Sequence, residues 1–280
     1  MTQRASNGAD KESRPLSLAY SPCPNDTFMF SHIADGTLDL AGMEITTHLD
    51  DVETLNRMAL EGVFDVSKIS FHAYFHVKDR YRLLNHGAAL GFGCGPIVVS
   101  REKMSREGIK NAVIAVPGEM TTGHLLLKLW LPDPGNVSFV SYDRILPMLL
   151  SGKADAGVII HESRFVYEQM GMYCVEDLGQ WWEEKTGLPI PLGAIVARRT
   201  LGEELIERVD GMLKTSIQLA QTCPEATMPY VHAHAQEMSE KVLTDHIGMF
   251  VNDFSLDLGI EGRRAVETLE RMARDSGVIT

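Results

Sequence analysis

At 280 residues, the chain is long enough for one large domain or for two of ordinary size. Apolar residues make up 44% and charged residues 23% of the sequence, so a full hydrophobic core is available and global disorder is excluded. The 38 acidic side chains outnumber the 26 basic ones and give a formal net charge of -12, which argues against binding to nucleic acid. We therefore expect an anionic small molecule to be bound by local donors, such as the N–H groups at a helix N-terminus.

The beginning of the chain and the spacing of the cysteines indicate a cytoplasmic protein. Residues 1–14 are polar and lack the apolar segment of a secretory signal, so we expect a disordered tail there. No stretch approaches the ~18 consecutive apolar residues of a membrane span, and no membrane partner is expected. The cysteines contain no Cys-x-x-Cys pair, which argues against disulfides and a zinc site; they are Cys23, Cys94, Cys174 and Cys223.

Short β-like runs alternate with helical patterns along most of the chain. The predicted strands are residues 16–21, 43–49, 64–70, 95–100, 112–117, 137–142, 156–161 and 193–198. Apolar residues at helical spacing lie between them, at 51–62, 121–132 and 143–152, and the chain from Leu201 onward is predicted to be helical. This alternation predicts parallel sheets with ligands at the carboxyl ends of the strands.

Two distant segments, 95–104 and 193–202, share a pattern of glycine, an apolar β run and paired charges. They bracket a self-contained βαβαβ block, as expected of a chain that crosses twice between two α/β lobes. We therefore place the first lobe at 15–100 plus 195–280 and the second at 101–194, with these segments as hinges. The pattern is equally compatible with two ordinary buried strands of one sheet.

The stretch SPCPNDTFMF, residues 21–30, connects the first predicted strand to an apolar run. Pro22 and Pro24 fix their own φ angles and restrict the residues before them, so this connection is stiff. Asn25 or Asp26 can cap the helix that follows, which leaves other N–H groups of its first turn available to a ligand. A rigid turn with a good cap and no ligand explains the composition equally well.

Polar side chains also occur at the ends of two further predicted elements. Lys68 and Ser70 end the strand at 64–70, where a cation and a hydroxyl are well placed to hold a carboxylate. Thr121 and Thr122 come where a helix begins, so their hydroxyls and the neighbouring amides can bind an anion. A solvated strand end and a plain helix cap are the alternatives.

His161 is the sharpest candidate for proton transfer. An apolar run leads to this imidazole at a strand end, and histidine exchanges protons near neutral pH, although a structural role is the alternative. No metal site is expected, because His72 and His76 lie four residues apart without a third ligand of matching spacing. The sequence contains neither the glycine motifs of nucleotide-binding loops nor the Gly-x-Ser-x-Gly motif of serine hydrolases.

Four motifs, taken in chain order, resemble one known family. SPCPNDTFMF, SKISFHAYF, PGEMTTGHLLL and ADAGVIIHESR are similar to motifs of the 1,4-dihydroxy-6-naphthoate synthase family of the futalosine route to menaquinone. The likeness extends from about residue 16 to the C-terminus. It implies a periplasmic-binding-protein type II fold, with two α/β lobes around a cleft. It also implies conversion of cyclic dehypoxanthinyl futalosine to 1,4-dihydroxy-6-naphthoate, a carbon–carbon lyase reaction without metal or redox cofactor.

The resemblance also implies roles for individual residues. His161 matches the proposed proton acceptor of the family. Asn25 and Asp26 belong to the loop by which the family is most readily known, and we expect them near the substrate. The family's substrate-contacting segments match Lys68, Ile69, Ser70, Thr121 and Thr122.

Three other functions fit parts of the sequence. A non-catalytic small-molecule-binding protein has the implied fold, but export would require a signal that residues 1–14 do not provide. The chorismate dehydratase of the same pathway is also a two-lobed cleft enzyme, although the SPCPND loop favours the synthase. A ligand-sensing effector would require a DNA-binding helix-turn-helix, which residues 1–15 cannot supply. The sequence leaves the oligomeric state open and is compatible with a homodimer.

Overall fold

The computed structural model describes residues 14–235 and 239–279. The expected disordered tail, residues 1–14, therefore lies outside the described residues except for Arg14. The Arg14 guanidinium pairs with the carboxylate of Asp65, with 2.6 Å between Nη2 and Oδ1. Asp65 also accepts hydrogen bonds from the backbone and the hydroxyl of Ser17, so this cluster ties the first strand to the residue preceding the third.

The strands predicted from the sequence are all present, and their observed ends differ from the predicted ones by at most three residues. Three short strands, β4, β5 and β10, were not predicted. The strands are β1 Leu16–Tyr20, β2 Ile45–Leu49, β3 Val66–Ser70, β4 Tyr81–Leu83, β5 Ala89–Gly91, β6 Ile97–Ser100, β7 Val113–Val116, β8 Asn136–Phe139, β9 Ala156–Ile159, β10 Tyr173–Asp177 and β11 Ile190–Arg198.

Helices connect the strands and form the last third of the chain, as the apolar spacing predicts. Helix 52–61 illustrates the local signals: Asp51 accepts hydrogen bonds from two first-turn N–H groups, and Gly62 ends the helix with a φ of 73°. The helices are α1 Pro24–Ala34, α2 Val52–Glu61, α3 Phe71–Val77, α4 Arg106–Ile109, α5 Thr122–Trp130, α6 Ile145–Leu150, α7 Leu178–Thr186, α8 Glu203–Thr222, α9 Pro224–His234, α10 Glu240–Phe250, α11 Asp253–Leu256 and α12 Gly259–Asp275.

The strands form two sheets. The first has the order β2-β1-β3-β11-β4, with β5 also paired to β11, and the second has the order β10-β6-β9-β7-β8. The pairs β1–β2, β1–β3, β7–β8 and β7–β9 are parallel, whereas β6 and β11 are antiparallel to their neighbours. The prediction of parallel sheets is therefore wrong for β6 and β11. Each enters its sheet from the other sheet, without the helical crossover within one sheet that makes strands parallel.

The chain changes sheet twice, between β5 and β6 and between β10 and β11. The similar segments 95–104 and 193–202 contain β6 and most of β11, which lie in different sheets, so the one-sheet alternative is wrong. Because β6 already pairs in the second sheet, the first change of sheet falls before Ile97 rather than after Ser100. The lobe boundaries at 100/101 and 194/195 remain a prediction.

Buried apolar side chains fill the space on both sides of the sheets. One cluster packs β1 and β11 against helices α1 and α8, with Leu18, Phe28 and Leu213 as members. A second cluster contains side chains of both sheets, including Ile69 of β3 and Val158 of β9. The core is thus continuous between the sheets and holds their strand ends in a fixed relation. Within the described residues, no helix combines the length and apolar character that a membrane span requires.

Candidate functional site

A cavity lies where the carboxyl ends of β1, β3 and β9 meet the first turns of α1 and α5. Apolar side chains form much of its wall, and polar groups converge from both sheets. The lining residues are Ser21, Asn25, Asp26, Val52, Lys68, Ser70, Ala89, Gly95, Pro96, Thr121, Thr122, Gly123, Ile160, His161, Leu192, Gly193 and Phe250. An apolar cavity with a few convergent polar groups is the usual form of a small-molecule site. Every site residue expected from the sequence lines this cavity except Ile69.

The first turn of α1 places Asn25 and Asp26 at the cavity, but not as helix caps. Cys23 occupies the N-cap position in an extended conformation, and no side chain caps the helix there. Pro24 follows at the first helical position, where its missing N–H has no cost. The expectation that Asn25 or Asp26 caps the helix is therefore wrong, because both residues lie inside the helix and their side chains point to other partners.

Asp26 and Lys68 form a buried ion pair, with 2.6 Å between Oδ1 and Nζ. Asn25 Nδ2 donates to Oδ1 of Asp26 at 2.8 Å, and the Ser21 hydroxyl donates to Oδ2 at 2.7 Å. The carboxylate is thus surrounded by donors, which offsets the cost of removing two charges from water. Any side chain at Gly193 would collide with Lys68, because a Cβ there would lie 2.6 Å from Lys68 Cε.

Strand alternation decides which residues of β3 reach the cavity. Lys68 and Ser70 lie on the cavity side, whereas the side chain of Ile69 is fully buried in the core on the opposite side. Asn56 fixes Ser70: its Nδ2 donates to the Ser70 hydroxyl at 3.1 Å, and its Oδ1 accepts from the Ser70 N–H at 2.8 Å. Because the hydroxyl oxygen accepts from Asn56, the hydroxyl still has its own proton to donate to a ligand in the cavity.

The N-terminus of α5 offers backbone donors rather than threonine hydroxyls. Thr121 caps the helix, accepting from the N–H of His124 at 3.3 Å and donating to the carbonyl of Gly118 at 2.9 Å. The hydroxyl of Thr122 donates to the carbonyl of Leu192 at 2.7 Å. Both hydroxyl protons therefore bond to protein carbonyls. The other first-turn N–H groups of α5, which Thr121 does not cap and which have no acceptor within the helix, are the donors that this end presents to an anion.

Glu53 of α2 holds the loop that precedes α5. Its carboxylate accepts hydrogen bonds from the backbone N–H groups of Glu119 at 3.1 Å and Met120 at 3.0 Å. Burial raises the pKa of Glu53, while these N–H groups act in the opposite direction. Since α2 packs on the first sheet and the loop follows β7 of the second, this contact fixes the two halves of the cavity relative to one another.

His161 lies two positions beyond the end of β9, after Ile160, and begins a short 3-10 helix, His161–Phe165. Its φ is 56°, a left-handed conformation that is uncommon for residues other than glycine and asparagine. The Sγ atom of Cys23 is 3.4 Å from Nδ1 and 3.7 Å from Nε2, so it is nearly equidistant from the two nitrogens. Both distances are within the range of a hydrogen bond to sulfur, so the thiol of Cys23 is a direct partner of the imidazole. The ring of Tyr142 contacts His161 edge-on, with 5.1 Å between centroids.

Sequence reasoning missed His246 of α10, which lies next to this centre, as it missed Tyr142. The His246 side chain is completely buried, its ring centroid is 6.1 Å from that of His161, and Nε2 is 3.0 Å from Oδ1 of Asn25. Burial, followed by the proximity of His161 and Lys68, lowers its pKa to about 3. The only signal in the sequence was a histidine in the apolar pattern of a predicted helix, which does not identify a partner so distant in the chain.

The two histidines of α3 lie close to each other and to a histidine of α5. His72 and His76 have ring centroids 5.4 Å apart, and His124 of α5 lies 6.2 Å from His72. Burial is the main cause that lowers the pKa of His72 to about 3. Across residues 14–235 and 239–279, no group of three or more His, Cys, Asp and Glu side chains is arranged to hold a metal ion.

Two sheets flanked by helices, with a cavity between them on which polar groups converge, define the class of proteins with the periplasmic-binding-protein fold. The alkanesulfonate-binding protein of Xanthomonas axonopodis pv. citri, solved with bound MOPS, has a TM-score of 0.72 and 12% identity, and the match covers 97% of this chain and 96% of that one. This likeness shows the fold. A solved protein from Archaeoglobus fulgidus is closer, with a TM-score of 0.91, 35% identity and coverage of 96% of this chain and 100% of that one.

The relatives define a particular family within that class. A menaquinone biosynthesis family matches residues 16–275. The 1,4-dihydroxy-6-naphthoate synthase of Thermus thermophilus is 49% identical over 264 residues, which cover 94% of this chain and 95% of the relative. The enzyme of the same name from Streptomyces coelicolor is 43% identical over 270 residues and 94% of each chain. The chain belongs to the 1,4-dihydroxy-6-naphthoate synthase family of menaquinone biosynthesis.

Proposed function

We propose that this protein converts cyclic dehypoxanthinyl futalosine to 1,4-dihydroxy-6-naphthoate, with His161 as the general base. The observation that carries the proposal is the convergence of His161, Ser70 and the α5 N-terminus on one cavity. Family membership supports the identity of the reaction. The small anionic substrate is the partner for which this cavity has the appropriate donors.

The substrate carboxylate binds to the N–H groups of the first turn of α5 and to the hydroxyl of Ser70. These local donors are needed because the chain carries a formal net charge of -12, which repels anions at long range. The apolar wall, including Leu192, Pro96 and Phe250, packs against the ring system. Enclosure of the substrate by the two lobes excludes water and aligns the bond that breaks.

His161 removes a proton from the bound substrate, and the carbon–carbon bond to the sugar-derived fragment breaks. The electron pair of the broken C–H bond enters the ring system, which becomes aromatic. The electron pair of the carbon–carbon bond leaves with the sugar-derived fragment, which takes up the proton from His161. Written this way, the reaction is a lyase step that requires no external oxidant or reductant. General base catalysis of this type contributes about 10²–10⁴-fold to the rate.

Incubation of the purified protein with cyclic dehypoxanthinyl futalosine, followed by chromatography, tests the reaction. We expect release of dihydroxynaphthoate, unchanged after dialysis against EDTA, and no reaction with chorismate. Conversion of chorismate instead would identify a dehydratase. Binding of the first compound without turnover would identify a small-molecule-binding protein.

The variant His161→Asn tests the role of the base. Asparagine tolerates the left-handed backbone at this position, so the change removes the imidazole without forcing the chain to move. We expect substrate binding to persist and kcat to fall about 10²–10⁴-fold. His232→Asn on exposed α9 is the matched control and should keep the parent rate. A parent rate for His161→Asn would refute the assignment.

A further inference from the structure

His246 does not line the cavity, yet it contacts a residue that does. It lies in α10 with no exposed surface, and its Nε2 is 3.0 Å from Oδ1 of Asn25, a residue 221 positions away in the chain. Asn25 in turn contacts Asp26, the partner of Lys68. These four side chains form a continuous series of hydrogen bonds that ends at the cavity.

The direction of each hydrogen bond in this series can be assigned. The carboxylate of Asp26 only accepts, so the Asn25 amide must turn its Nδ2 toward it, at 2.8 Å. Oδ1 of Asn25 then faces His246 and also only accepts, which means that Nε2 of His246 carries the proton. Nδ1 is consequently deprotonated, and it is buried without a hydrogen-bond partner among the described residues.

The surroundings of His246 keep this ring neutral. Its side chain is enclosed, and a second proton would place a cation close to Lys68 and His161. Burial first, and these two neighbours second, lower the pKa of His246 to about 3. The ring planes of His246 and His161 are within 18° of parallel. A buried imidazole with one unsatisfied nitrogen is costly to retain, and native structures generally avoid such groups unless they serve a purpose.

We propose that His246 is a positioning residue for the reaction: its Nε2–H holds the Asn25 amide and, through it, the Asp26–Lys68 pair in the orientation that faces the substrate. The inference rests on the proposed function, since it assumes that the substrate occupies this cavity. Without the donor, the Asn25 amide is free to rotate, and Asp26 loses a fixed hydrogen bond. Lys68 then moves relative to Ser70, and a displacement of about 1 Å in a positioning group can cost ~10²-fold in rate.

Two substitutions of similar size separate the donor from the packing of the ring. His246→Gln keeps an N–H that can reach Oδ1 of Asn25, whereas His246→Leu fills the space without a donor. We expect kcat/KM to fall about 10–100-fold in the Leu variant and to stay within about 3-fold of the parent in the Gln variant. His232→Gln, a surface histidine in α9, is the control and should leave the rate unchanged. Equal activities of the Leu and Gln variants, whether high or low, would overturn the proposal.

The protonation of the ring provides a measurement that does not depend on turnover. ¹⁵N NMR of the parent protein should show His246 neutral at pH 6, with the proton on Nε2 and with Nδ1 deprotonated. A cationic ring, or a proton on Nδ1, would overturn the proposal because Nε2 would no longer be the defined donor. Failure of the parent protein to convert cyclic dehypoxanthinyl futalosine would instead refute the proposed function, while the NMR result would still decide whether His246 holds Asn25.

Discussion

Replacing Asp26 by asparagine removes the counter-charge of a buried ammonium without changing the shape of the side chain. The Asp26 and Lys68 side chains are 2% and 6% exposed, and their charged atoms are 2.6 Å apart. Removing one partner of a buried ion pair costs about 3–5 kcal/mol, because the other charge is left uncompensated. Both residues line the cavity, where water can reach them, so we expect a loss at the lower end, about 3 kcal/mol in the free energy of unfolding.

Urea unfolding at pH 7 measures this loss. The double variant Asp26→Asn with Lys68→Met should recover stability to within about 1 kcal/mol of the parent, because an apolar replacement of both partners is often neutral. Asp245→Asn is the matched control. It breaks the pair with Lys241, in which the Lys241 side chain is 83% exposed and the Asp245 side chain is 43% exposed. The loss in the free energy of unfolding should be less than about 0.5 kcal/mol.

Two results would refute this reasoning. A loss below about 1 kcal/mol for Asp26→Asn, as for an exposed pair, would mean that Lys68 is solvated in the cavity. A double variant no more stable than the single one would mean that the loss comes from the bonds of Asp26 to Ser21 and Asn25. In that case the ion pair would not be the source of stability.

Two further substitutions test the ends of the cavity. Thr121→Ala removes the N-cap of α5 and should lower the free energy of unfolding by about 1 kcal/mol, whereas Thr121→Ser should restore it; equal stability of the two variants would contradict the capping role. Gly193→Ala places a Cβ 2.6 Å from Lys68 Cε, so Lys68 must shift, and initial rates with cyclic dehypoxanthinyl futalosine should show KM raised about 10-fold. Gly211→Ala in α8, where an added Cβ meets nothing within 4 Å, is the control. An unchanged KM for Gly193→Ala would contradict the prediction, because Lys68 would then have moved aside without affecting substrate binding.

The strands and most of the cavity residues could be predicted because their signals are local. An apolar β run shows where a strand ends, and polar residues stand at such ends: Ser70 is the last residue of β3, and His161 lies two positions after the last residue of β9. The strands β4 and β5 have three residues each, too few for a period of two to be recognised. The antiparallel direction of β6 and β11 depends on the sheet from which the chain arrives, and no single segment contains that information.

The role of Asp26 could not be predicted for a related reason. A capping rule considers only the neighbouring backbone, and in that view an aspartate close to the start of a helix is a suitable cap. In the folded chain, its partner Lys68 is 42 positions away, and His246 is 221 positions from Asn25. The gain from pairing a buried ammonium exceeds that of a cap, so the long-range contact determines where the side chain points. Local rules therefore identified the right residues but gave two of them the wrong partners.

The backbone of His161 offers a test of whether this position is strained. At most positions, Ala is more stable than Gly by about 0.4–1 kcal/mol, because Gly has more freedom in the unfolded chain. At a φ of 56° a Cβ is unfavourable by about 1–2 kcal/mol, so the order should reverse. The free energy of unfolding of His161→Gly should exceed that of His161→Ala by about 1 kcal/mol. Glu207, exposed within α8, is the control position at which Ala should remain more stable than Gly. If Ala were the more stable residue at both positions, the backbone of residue 161 would not be left-handed in solution. The expected reversal would mean that a histidine stands here at a cost in stability, which favours a role for its imidazole in the chemistry of the cavity.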